Sequence, residues 1–213
     1  MSKSLNKWMG VIALAFAPIA PAAIIFEATL TTVQEVPPIP PTALTTATGA
    51  PRPPSSGEAD LVLNDAQTEL SMIIRVFNID VTGTQTADTN DNLVAAHIHA
   101  PAPPGTNAGV RFGFFGTPFN DNNPNNFVLT PFSAGVGGDF RSVWNAGEGN
   151  ATTLTAQLPS ILAGLSYLNF HTVQFPGGEI RGQILKVSEP PTWALGALAA
   201  LMLAASIARR RRA

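Results

Sequence analysis

The sequence predicts an all-β protein, an antiparallel β-sandwich. Segments of roughly five to ten residues rich in Val, Ile, Leu, Phe and Thr recur along the chain. Clusters of Gly, Pro, Asn and Asp, the residues of tight turns, separate them. Between residues 24 and 187 no stretch carries a helical period, apart from a turn at 158–163. Short strands joined by turns and free of long helices bury their apolar faces best by stacking two layers.

Taken in order, the strands are expected at 26–33, 59–63, 69–79, 94–100, 109–115, 140–144, 152–157, 165–173 and 178–187. Three inserts read as loops. Residues 37–56, PPIPPTALTTATGAPRPPSS, hold seven prolines in twenty positions and predict an extended, mobile excursion. Residues 84–92 and 117–126 are polar turn sequences.

The two ends are different in kind. The opening MSKSLNKWMGVIALAFAPIAPAA places Lys3 and Lys7 before an apolar run and ends in small residues. That is the layout of a secretory signal peptide over 1–23, with cleavage near Ala22 or Ala23. At the other end, Thr192 to Ala208 is an uncharged apolar run of seventeen residues followed by Arg209, Arg210, Arg211 and Arg212. A helix of about 17 residues reaches the short limit for crossing a bilayer. Arginines flanking it stay cytoplasmic, so the folded part is expected outside.

What remains, 24–187, has the length of one domain. It holds six basic residues against thirteen acids, a formal charge of −7, so nucleic acid and anionic lipid are poor partners. There is no cysteine, so a core must hold the fold without disulfides.

The chain has three histidines, and two stand in AHIHA. On a strand His97 and His99 share one face while Ile98 points to the core. In YLNFHTV the same rule puts Tyr167, Asn169 and His171 together, opposite Phe170. In GEIRGQI it puts Glu179, Arg181 and Gln183 opposite Ile180. Two readings of the histidines follow. They form a Cu or Zn site of three imidazoles, with water or Glu179 in the fourth position. Alternatively His97, His99, His171 and Asn169 form a hydrogen-bonded cluster that laces two strands, with Glu179 and Arg181 paired nearby as structural charges. Asp88 to Asn92 begins like a calcium loop, but Leu93 stands where glycine is needed and His99 where glutamate is needed. No cysteine and no G-x-S-x-G element offers a nucleophile, so no enzyme activity is expected.

FEATLTTVQEVPP, AAHIHAPAPPGTNAGVRF and YLNFHTVQFPGGEIRGQI together resemble the CHRD domain family. The resemblance implies an exported, immunoglobulin-like sandwich over 24–187; export and the absence of a nucleophile make a binding module the expected role. The tail, Ser188-Glu189-Pro190-Pro191, an apolar run and an arginine cluster over 188–213, resembles the PEP-CTERM sorting signal. That resemblance implies an inner-membrane stage through the tail helix and processing near Glu189 and Pro190 by an exosortase-type enzyme. The protein then sits at the cell surface or in the extracellular matrix, with a polysaccharide or surface protein as partner.

Overall fold

The computed structural model describes residues 23–187. The signal segment expected over 1–23 therefore lies outside the described residues except for Ala23, and the sorting tail 188–213 lies outside them entirely. Among the described residues no helix is long and apolar enough to cross a membrane.

Ten strands form one antiparallel sheet: β1 Ile24–Thr31, β2 Ser56–Leu63, β3 Glu69–Phe77, β4 Leu93–His99, β5 Val110–Phe115, β6 Val128–Pro131, β7 Gly137–Asn145, β8 Tyr167–Thr172, β9 Ile180–Gln183 and β10 Leu185–Lys186. Among the described residues one α-helix, α1, spans Leu154–Leu162. The strand order is β5-β4-β8-β9-β1-β2-β3-β7-β6, with β10 beside β1.

The sheet curls until its two ends face one another. Phe112 of β5 stacks on Trp144 of β7 with ring centroids 5.0 Å apart, and Phe170 of β8 meets Phe140 of β7 edge-on at 5.2 Å. These strands are far apart in hydrogen-bond order, so the contacts can only be made across the layers. The two-layer packing expected of a sandwich is present. The layers are not separate sheets, however: they join where Thr31 of β1 pairs with Arg181 of β9.

In β1, β2 and β3 buried and exposed residues alternate, as in a sheet with one wet face. Phe26, Leu30, Leu61, Met72 and Ile74 face the core. In β8 and β9 every residue is buried, and β4 exposes only Val94. This half of the sheet has the shared core on one face and loops packed over the other.

Three expectations need correction. The segment 152–157 is not a strand. Thr153 caps α1 by accepting from the Ala156 N–H at 3.2 Å, and Leu154, Leu158 and Ile161 lie on the helix face turned to the core. Their spacing of four and then three residues is helical, and the β-branched threonines before Leu154 obscured it. Strand β6 was not expected, because it is a four-residue edge strand ending in Pro131 that pairs only with β7. The proline-rich insert is not a mobile excursion. Leu44 is fully buried, the Arg52 N–H donates to Leu44 O at 3.0 Å, and Arg52 and Ser55 are buried against Glu179 in the turn between β8 and β9.

Candidate metal centre

Strands β4 and β8 pair with His97 opposite Asn169, His99 opposite Tyr167 and Ala95 opposite His171. That register and the two-residue alternation put all three imidazoles on the loop-covered face. Ring centroids lie 4.9 Å apart for His97 and His171, 5.7 Å for His97 and His99, and 5.9 Å for His99 and His171. One ring nitrogen from each lies within 4.8 Å of the others, the sole such grouping of ligand residues among those described.

Each ring is held from outside by a backbone carbonyl. His97 Nε2–H donates to Thr117 O at 3.1 Å, His99 Nδ1–H to Ala108 O at 2.9 Å, and His171 Nδ1–H to Pro176 O at 3.0 Å. The carbonyls come from three loops, which is why the loops must close over this face. Gly113 of β5 makes one closure possible: a Cβ there would lie 1.8 Å from Pro118 O and 3.1 Å from His97 Cδ2. Only glycine lets the 117–118 chain pass close enough for Thr117 O to reach the ring.

These bonds fix the tautomers. A neutral imidazole that donates from one nitrogen carries a lone pair on the other. His97 Nδ1, His99 Nε2 and His171 Nε2 therefore carry lone pairs. His97 Nδ1 and His171 Nε2 approach to 3.2 Å, and His99 Nε2 is buried with no hydrogen-bond partner.

Adding a proton to relieve the crowding is opposed by the surroundings. Burial, then the neighbouring His171 and His99, push His97 down to about 3. His99 is pushed down to about 4, chiefly by burial, and His171 is also lowered by burial. The cluster is neutral near pH 7. Two lone pairs 3.2 Å apart suit a shared cation: two nitrogens bound to zinc at about 2.0–2.1 Å in tetrahedral geometry lie about 3.3 Å apart. A carbonyl on the outer nitrogen is the usual support of a metal-bound imidazole.

The other expected residues are placed differently. Glu179 does not join the histidines. Its carboxylate accepts from Arg52 Nη2 at 2.8 Å, Arg52 Nη1 at 3.2 Å, Thr172 Oγ1 at 2.5 Å and Ser55 Oγ. The expected pairing of Glu179 with Arg181 is therefore replaced by a buried ion pair with Arg52, which pins the proline-rich loop. Arg181 instead lies over the Tyr167 ring, 3.5 Å from its centroid, and Tyr167 stacks on His99 at 4.8 Å with planes 5° apart. Asn169 is buried beside His97, yet its Oδ1 has no hydrogen-bond partner, so it does not lace the cluster through that atom. The calcium reading gains nothing: Asp88 Oδ1 accepts from the N–H groups of Ala47 and Asn90, and Asp91 from Thr86 Oγ1, so these carboxylates tie loops together.

Sequence reasoning missed Arg52 and Glu35. Arg52 is the one charged residue of the proline-rich insert, a signal that this segment had a buried carboxylate to meet. Glu35, in VQEVPP, is 5 % exposed and is pushed up to about 7, mainly by burial and against the pull of Arg181.

The comparison with curated proteins returns no match, and neither does the comparison with solved structures. The family description CHRD domain matches residues 26–184, which takes in VQEVPP, the AHIHA strand and GEIRGQ. That span covers most of the sequence and all three histidines, and the chain belongs to the CHRD domain family.

Proposed function

We propose that this chain is an extracellular, non-enzymatic binding module that holds one Cu or Zn ion between His97, His99 and His171. The observation that carries the proposal is the set of fixed tautomers. Three carbonyls take the outer ring protons and leave three unprotonated nitrogens on rings grouped within 4.8 Å, in surroundings that resist protonation. A hydrogen-bonded cluster needs a proton between His97 Nδ1 and His171 Nε2, and this arrangement supplies none.

The donor set is three neutral imidazoles without thiolate, which suits Cu and Zn and not Ca or Mg. With Glu179 engaged by Arg52, the fourth position falls to water. The ion fastens β4 to β8 and, through the carbonyls, three loops to the sheet. In a chain without cysteine it does the work of a disulfide staple.

Metal analysis and calorimetric titration of the purified full-length chain test the proposal. One equivalent of Zn(II) or Cu(II) bound by the wild type, with affinity at least a hundredfold lower in His97→Ala and His171→Ala, is the expected result. Equal, substoichiometric metal in wild type and variants contradicts it.

Export rests on the signal segment and on the sorting tail, with Glu189-Pro190 as the processing point, Arg209 to Arg212 as the cytoplasmic end, and an exosortase-type enzyme as the partner in processing. Mass spectrometry of the mature protein from cells is expected to find both ends removed. A polysaccharide or surface protein is the macromolecular partner this location implies.

A further inference from the structure

Glu35 and Arg181 are two buried ionisable side chains that line the same cavity without forming an ion pair. Arg181 is 1 % exposed. Among the described residues the ion pairs are Arg52 with Glu179 and Arg75 with Asp139, so Arg181 has no carboxylate oxygen within 4 Å. Its two hydrogen bonds are long, 3.3 Å to Asn107 Oδ1 and 3.5 Å to Gln183 Oε1, and both acceptors are neutral amides. One face of its guanidinium is spent on Tyr167. Glu35 Oε1 is buried with no hydrogen-bond partner. A buried cation with no carboxylate oxygen within 4 Å costs free energy, and at the wall of a cavity it calls for a bound group.

The space is present. Glu35 and Arg181 line a cavity of about 210 Å³ whose walls include Val33, Val36, Pro38 and Pro104. A water molecule occupies about 30 Å³ of liquid, so the cavity takes a molecule of a few carbons.

We propose that this cavity binds a small monocarboxylate, its oxygens held by the guanidinium of Arg181 beside the Glu35 side chain, its carbon end against Val36, Pro38 and Pro104.

Arginine supplies paired N–H donors in the geometry a carboxylate accepts. A neutral Glu35 adds an O–H donor. Burial favours that neutral form, and Glu179 works in the same direction, while Arg181, the Asn169 side chain and the Val36 N–H oppose it. With Glu35 neutral the floor of the cavity carries one positive charge, which matches one carboxylate. With Glu35 ionised the floor is neutral and a second carboxylate is repelled, so binding takes up a proton.

The inference stands apart from the metal centre, and its test uses metal-free full-length chain, so the two can fail separately. Acetate and propionate are titrated calorimetrically near pH 6 against acetamide and propionamide. The acids are expected to saturate at one per chain, with the amides at least tenfold weaker, as loss of a charge-assisted bond predicts. Arg181→Lys, which keeps the charge and loses the fork, is expected to weaken binding tenfold or more. Glu35→Gln keeps a donor, so binding persists and its dependence on pH between about 6 and 8 flattens. Val33 lies at the surface, 59 % exposed, and Val33→Trp closes the cavity without disturbing the core. That variant is expected to abolish binding, and it carries the test should Arg181→Lys fail to fold. Equal binding of acids and amides, no saturation by the folded wild type, or undiminished binding by Val33→Trp overturns the inference.

Discussion

Acidification probes the cluster without any metal. The chain has three histidines. Unfolded, each titrates near 6.5, whereas His97 and His99 in the folded state stay neutral down to about 3 and about 4. Below about pH 6.5 the unfolded state therefore binds protons that the folded state refuses, and stability falls as pH falls. Between pH 7 and pH 5 this linkage costs about 2 kcal/mol for each of the two, about 4 kcal/mol together. His171, also lowered, adds in the same direction. Glu35 acts oppositely: raised from 4.5 to about 7, it binds a proton in the folded state first and returns about 2 kcal/mol over the same interval. Burial raises Asp91 as well, a further opposing contribution. The metal-free wild type is thus expected to lose about 2 kcal/mol from pH 7 to pH 5, and Glu35→Gln about 4 kcal/mol. Urea unfolding at both pH values measures this directly. A Glu35→Gln chain equally stable at both would refute the reasoning, since it would mean that the imidazoles protonate freely in the fold.

Removing one partner of the buried Arg52–Glu179 pair leaves a carboxylate that is 0 % exposed with two hydroxyls for company. Arg52→Ala is expected to lower stability by about 3–5 kcal/mol in urea unfolding, and to make the 37–56 loop the first site of proteolytic cleavage. Gly113→Ala drives a methyl group into Pro118 O and forces the 117–118 chain away from His97. Metal affinity is expected to fall at least tenfold in that variant although no ligand is altered, measured by competition with a chelator.

The histidine site was legible because its geometry depends on alternation alone. Ile98 and Phe170 are apolar and must enter the core, so His97, His99 and His171 must face away from it. Antiparallel pairing of β4 with β8 then brings the three together. What alternation cannot reach is anything decided outside a strand. Glu179 precedes β9, just after Gly178 with its φ of +127°, and so escapes the rule that would have set it beside Arg181. Its true partner, Arg52, stands 127 residues earlier in a segment whose prolines read as a tether. The closed curl was equally hidden, since a stack such as Phe112 on Trp144 links strands with no local sequence relation. The strand misread at 152–157 shows the opposite failure, in which threonine's β-propensity outweighed a helical spacing visible at Leu154, Leu158 and Ile161.

The claim on which the metal centre rests is that three lone pairs meet. Long-range ¹⁵N correlation spectra of the imidazole rings in metal-free chain near pH 7 test it most directly. The account predicts protons on His97 Nε2, His99 Nδ1 and His171 Nδ1, with the remaining nitrogen of each ring unprotonated and shifted on addition of one equivalent of Zn(II). A proton on His97 Nδ1 or His171 Nε2, unmoved by zinc, would show an imidazole-to-imidazole hydrogen bond that closes the cluster by itself and would contradict the account.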